Sequence, residues 1–221
     1  MDDHRIDQQL HLTDRFTRAV DYARILHIER RKGTSIPSMA HLLGVASLVM
    51  GEVGRAPIPI TEDMVIAAVL HDAVEDHGGV PRLEDIRRNF GDNVARMVEG
   101  LSDSLVEDPT DKDHWENRKA AYVEKLRHEP ADIQLISAAD KLYNATTILD
   151  EHRVIGAEVW QRFKRGRKQQ IWYFDQLLSV FKSAGRNRIV DEFERVVTQL
   201  KTQTAKDPEE YTSAAGQGSP Q

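Results

Sequence analysis

The chain has 221 residues, 30 Lys and Arg against 36 Asp and Glu, a net charge of −6, and 40% apolar residues, enough for one packed core. No stretch approaches the ~18–20 uninterrupted apolar residues of a spanning helix, and MDDHRIDQQL lacks the layout of a signal peptide, so a soluble, cytoplasmic protein is expected. The absence of cysteine excludes disulfides, thiolate nucleophiles, iron–sulfur clusters and cysteine-bound zinc, leaving nine histidines and the acids as ligands for any metal.

Apolar residues recur at helical spacing throughout, and the reading is all-α. A first helix is predicted over 13–31, with Phe16, Val20, Ala23 and Leu26 on one face and Gly33 just beyond its end. A second follows Pro37 and carries His41, Leu42, Val45, Leu48 and Val49. Thr61 is the expected N-cap of a third, over 62–76, which is apolar on nearly every side from Met64 to Leu70 and therefore central. Short helices are predicted over 82–89 and 92–104, the latter capped by Asp92. Between Glu99 and Asp113, six acids face the single Lys112, which reads as an exposed acidic loop. Helices over 114–128, 130–151, 157–183 and 187–202 complete the pattern. The expected organisation is an extension over 1–12, one domain over 13–203 and a disordered tail over 204–221, rich in Thr, Gln, Ser and Gly.

The sharpest chemistry lies in VIAAVLHDAVED, residues 65–76. In one continuous helix His71 would stack on Glu75 and Asp72 on Asp76, crowding three carboxylates and an imidazole at one helix end. Either that end is solvated or the charges meet a cation, because buried charges must be paired or coordinated. Two further singletons tilt the balance toward a cation: Asp140 interrupts the apolar run LISAADKLYNATTIL, and His41 opens the run HLLGVASLVM. His41, His71, Asp72 and Asp140 would offer two imidazoles and two carboxylates to one divalent ion, a set that suits Mn²⁺, Fe²⁺ or Zn²⁺.

RRKGTSIPSMAH at 30–41, HDAVED at 71–76, NFGDNVARMVEGLSD at 89–103 and AADKLYNATTIL at 138–149 together resemble the HD-domain metal-dependent phosphohydrolases, and within them the (p)ppGpp hydrolase branch. The resemblance covers residues 15–185 and implies an all-helical bundle with the metal site at its centre. It implies one Mn²⁺ held by His41, His71, Asp72 and Asp140, an acidic catalytic pair at Glu75 and Asp76, and nucleotide contacts from Arg31, Lys32 and Asn144. The implied reaction removes the 3′-pyrophosphate of a guanosine alarmone. The chain departs from the pattern at Ser35-Ile36-Pro37-Ser38, where the family often has a Gly-Glu-Pro-Tyr segment, which bears on base or sugar recognition. NADPH or a nucleoside monophosphate therefore stands as the alternative substrate, and a non-catalytic nucleotide-binding module as the alternative role.

A small anionic nucleotide is the expected partner, with no membrane, with nucleic acid disfavoured by the acidic balance, and with homo-oligomer formation left open. The KRGRK cluster at 164–168 reads as a solvated face. His27, His77 and His114 carry no assigned role.

Overall fold

A computed structural model describes residues 9–163 and 165–209, apart from the side chain of Pro109. The described residues form helices and connecting turns with one isolated bridge, Arg30 to Pro37, and no strand. Helix α1 (Asp14–Leu26) starts where Thr13 accepts from Arg15 N. It stops at His27, short of the expected residue 31, because the chain turns back on itself: Arg31 N donates to Ile36 O at 2.8 Å and Ser38 N to Glu29 O at 3.1 Å. Gly33, at φ +71°, serves this loop instead of a helix end. Arg31 and Lys32 thus sit on a closed loop and do not complement a helix dipole.

Helix α2 (Ser38–Met50) buries His41, Leu42, Val45, Ala46 and Val49. Helix α3 (Glu62–Leu70) has the expected Thr61 cap, and every residue from Met64 to Leu70 is buried, so it is the central rod against which α1 and α2 pack. The expected continuous helix over 62–76 is not formed. It is interrupted at His71–Asp72 and resumes for one turn as α4 (Ala73–Asp76), with His71 held in the His41 cluster and Glu75 facing Lys112 and Arg118. Gly78 at φ +111° begins the next turn of chain into α5 (Gly79–Phe90), three residues earlier than expected, with Pro81 in the first turn where no N–H is missed. Gly91 at φ +95° takes the cap position expected for Asp92, and α6 (Asp92–Leu101) ends before Ser104.

Beyond a 3₁₀ turn at Pro109–Asp111 come α7 (Trp115–His128) and the long α8 (Ala131–Ile155). The helix expected over 157–183 is two pieces, a 3₁₀ segment Gly156–Arg162 and then α9 (Gly166–Ala184), the latter beginning at a glycine with φ +66°. Helix α10 (Arg188–Gln203), capped by Asn187, lies along α8. Residues 204–209, assigned to a disordered tail from composition, are instead docked. Thr204 is buried, and Asp207 accepts from Trp160 Nε1 and meets His152 Nε2, each at 2.8 Å. The remainder of that tail, 210–221, and residues 1–8 of the N-terminal extension lie outside the described residues. Among the described residues no helix is long and apolar enough to cross a membrane.

Candidate metal centre and adjoining cavity

Three helical segments deliver the four residues singled out in the sequence to one place. His41 comes from the first turn of α2, His71 and Asp72 from the break between α3 and α4, and Asp140 from the middle of α8. His41 Nε2 lies 3.1 Å from His71 Nε2, 3.2 Å from Asp140 Oδ1 and 3.5 Å from Asp72 Oδ2. His71 Nε2 lies 3.2 Å from Asp72 Oδ1 and 3.7 Å from Asp140 Oδ1. Both histidines and Asp140 are buried, and the three can hold a metal ion between them. His71 and Asp72 both keep right-handed helical dihedrals, and both reach His41, through His71 Nε2 and Asp72 Oδ2.

The donor chemistry fits a divalent cation. His71 Nδ1 donates to Ala68 O at 2.8 Å, which leaves Nε2 as the nitrogen that faces the cluster and would hold a cation in place of its proton. Two imidazole nitrogens 3.1 Å apart and two carboxylates then converge, and one shared proton cannot satisfy all of them. In the metal-free protein that conflict appears as opposed titrations. Burial pulls the His41 imidazole below its ordinary value, while at His71 the charges of Asp72 and Asp140 overcome burial and carry it up to about 9. Against the opposing effect of burial, the His71 charge holds Asp72 down, and Lys141 and the two imidazoles hold Asp140 far below the carboxylate range.

Glu75 and Asp76, carried by the single turn α4, open toward a second charged group. Asp103, expected in an exposed acidic loop, has a side chain only 2% exposed and is clamped by Arg118 and Lys119. Arg118 Nη1 also lies 3.5 Å from Glu75 Oε1, and Lys112 Nζ lies 3.7 Å from Glu75 and 4.0 Å from Asp76. Burial raises the Glu75 carboxyl, with Asp103 and Asp72 adding to it and Lys119 opposing. Burial and the charges of Asp72 and Glu75 push Asp76 up to about 7.

A cavity of about 320 Å³ adjoins this region, and its wall includes Arg31, Lys32 and Asn144, three residues named from the sequence. A hydrogen-bond relay reaches it from the cluster: Asn144 Nδ2 donates to Asp140 Oδ1 at 2.6 Å, and Arg31 Nη2 donates to Asn144 Oδ1, also at 2.6 Å. The wall also carries residues missed from sequence: Lys119, Lys141 and Arg162 as further cations, and Trp115, Tyr143, Phe163 and Tyr173 as aromatic surface. Lys119 and Lys141 stand over the Tyr173 ring at 5.2 and 5.8 Å. Nothing in the spacing of NRKAAY separates Lys119 from an ordinary solvated lysine; only the approach of α9 to α7 does so. Of the KRGRK cluster, Arg165 pairs with Glu116 at 3.1 Å and Lys168 with Glu209 at 3.2 Å, while Lys164 lies outside the described residues.

An adjacent His-Asp pair thus meets a further buried histidine and aspartate at the centre of a helical bundle. A family model described as HD domain matches residues 19–172. The chain is 32% identical over 179 residues to guanosine-3′,5′-bis(diphosphate) 3′-pyrophosphohydrolase MESH1 of Homo sapiens, covering 79% of this chain and 87% of that protein. It is 31% identical over 134 residues to a guanosine-3′,5′-bis(diphosphate) 3′-pyrophosphohydrolase of Aquifex aeolicus, covering 59% of this chain and 17% of that longer protein. Among solved structures, lmo0812 of Listeria monocytogenes EGD-e superposes with a TM-score of 0.60 at 32% identity over 73% of this chain and 99% of that one. A metazoan ortholog of SpoT superposes with a TM-score of 0.65 at 21% identity over 86% of this chain and 97% of that one, a likeness of fold. The chain belongs to the HD-domain family, and within it sits among hydrolases.

Proposed function

We propose that this protein removes the 3′-pyrophosphate of (p)ppGpp, with His41, His71, Asp72 and Asp140 as ligands of one divalent cation, Mn²⁺ first, with Fe²⁺ and Zn²⁺ as alternatives. The observation that carries the reading is the relay Asp140–Asn144–Arg31, which joins the ligand cluster to a cavity bearing five cationic side chains. A nucleotide with phosphates at both ends of its ribose is the kind of anion such a wall suits, and the names of the relatives point to the same substrate. A bound divalent ion supplies a Lewis acid that lowers the pKa of water and offsets charge on phosphorus.

The chain's own residues do the rest. Arg31, Lys32, Lys119 and Lys141 hold phosphoryl oxygens, Arg31 through its forked donors. Glu75, whose carboxyl is raised by burial, takes the proton of the attacking water, and Asp76 stands beside it to return a proton to the leaving oxygen. Water oxygen bonds to phosphorus, the bond from phosphorus to the 3′-oxygen breaks, and that oxygen leaves protonated with pyrophosphate as the other product. A cytoplasmic location belongs to the same reading.

One observation favours a second reading. Ile36, from the departing Ser35–Ser38 segment, lines the cavity, so recognition of the nucleoside need not follow the alarmone pattern, and NADPH or a nucleoside monophosphate would then be the substrate. The two are separated by assaying purified protein with Mn²⁺ against ppGpp, NADPH and nucleoside monophosphates and identifying the products. Pyrophosphate release from ppGpp at a kcat/KM well above the others is expected. Preference for NADPH would establish the second reading, and no turnover of any of them would make the chain a binding module.

A further inference from the structure

His27, Glu29 and His77 meet on the side of α1 and α4, and none of them is a ligand of the centre described above. His27 ends α1, its backbone N–H held by Ala23 O, and its ring is buried. His77 ends α4, anchored because Arg82 Nε donates to its carbonyl at 3.0 Å. Glu29 opens the loop that carries Arg31 and Lys32, fixed by the bond from Ser38 N to its carbonyl at 3.1 Å. His27 Nδ1 lies 3.0 Å from Glu29 Oε1 and 3.2 Å from His77 Nε2, and His77 Nε2 lies 3.7 Å from Glu29 Oε2. The two rings stand edge to face, 4.5 Å between centroids.

Hydrogen bonds satisfy these contacts only in part. If His27 Nδ1 carries a proton, its single hydrogen is shared between Glu29 Oε1 and His77 Nε2, a three-centre bond weaker than two separate ones. If His77 Nε2 donates to His27 Nδ1, the lone pair of Nδ1 is occupied and its contact with the Glu29 carboxylate is between two acceptors. A cation accepts electron pairs from all three atoms at once. Burial and the neighbouring His27 also hold His77 below its ordinary value, leaving it neutral and able to coordinate.

We infer that His27, Glu29 and His77 form a second metal site, taking a divalent transition-series ion of the zinc type. Two imidazoles and one carboxylate, with a water completing four-coordination, are ligands of that class and a poor match for Mg²⁺ or Ca²⁺, which take oxygen. The site joins the loop bearing Arg31 and Lys32 to the residue that follows Asp76, so the ion would set the two walls of the active site relative to one another.

The test is metal stoichiometry of the full chain, stripped with chelator and equilibrated at micromolar free Zn²⁺. Wild-type protein is expected to hold two ions per chain, and His77→Ala and Glu29→Ala one each. Both substitutions are on partly exposed side chains, 27% and 44%, so the fold should survive them. Asp72→Ala, which disturbs the other centre, should keep an ion that is lost on adding His77→Ala, and Zn²⁺ should raise the melting temperature of Asp72→Ala but not of the double variant. Stoichiometry unchanged by both His77→Ala and Glu29→Ala, or a Zn²⁺-induced melting shift that persists in the double variant, overturns the site.

Discussion

At the scale of single residues, charge placement separates groups that look alike in composition. Glu75 and Asp103 are both acids flanking cations, yet burial and like charge raise the first, while Lys119 and Arg118 overcome burial and depress the second. For Glu75 the expectation is catalytic: Glu75→Gln keeps the bound cation, since the carboxylate is not among the proposed ligands, and loses about 10²–10⁴-fold in kcat by steady-state assay, the usual contribution of a general base. For Asp103 the expectation concerns stability. Its depressed carboxyl contributes fully above the ordinary carboxylate value and loses that contribution as pH falls below about 4. Urea unfolding across that acid range should show wild type losing more stability than Asp103→Asn. At neutral pH the same variant should be destabilised by about 1–3 kcal/mol, because Arg118 and Lys119 lose their shortest counter-charge and keep only Glu75.

At the scale of elements, the contact of α2 with α8 decides whether His41 and Asp140 meet. Gly44 makes that contact possible: a Cβ there would overlap the Tyr143 ring, which packs against the His41 ring while its hydroxyl donates to Ala40 O at 3.1 Å. Helix propensity alone would make Gly44→Ala stabilising by about 0.5–1 kcal/mol. Overpacking costs about 1–3 kcal/mol and should win, giving a lower melting temperature and weaker cation binding, both measurable on the purified variant. The elements also show where periodicity misleads. It located α3 as the buried rod, because residues apolar all round have no other place to go. It could not see the interruption at His71–Asp72, since the local sequence remains a good helix former and both residues keep right-handed helical dihedrals.

At the scale of the whole molecule, the proposed ligands span three segments that the chain visits between residues 41 and 140, so a bound ion cross-links the fold. In His77→Ala, which leaves only this centre, a cation at a hundredfold its Kd should add about 2.7 kcal/mol, or roughly 5–10 °C in melting temperature for a domain of this size. Chelator should remove that gain, and Asp140→Asn should abolish the dependence on cation, as read by thermal unfolding with and without Mn²⁺.

The sequence by itself determined the all-helical class, the central α3 and the set His41, His71, Asp72 and Asp140 as a group to be brought together, because apolar periodicity and charged interruptions of buried runs are local signals. It also named Arg31, Lys32 and Asn144, though by resemblance; the hydrogen bond that joins Arg31 to Asn144 across 113 residues of chain has no local signature. Only the tertiary structure decided that Asp103 is buried, that Lys119, Lys141 and Arg162 face the cavity, and that His27 meets His77. A charged side chain on an amphipathic helix is written the same way whether it faces water or a neighbouring helix. The choice is made by packing angles and loop closures, which depend on the whole chain at once.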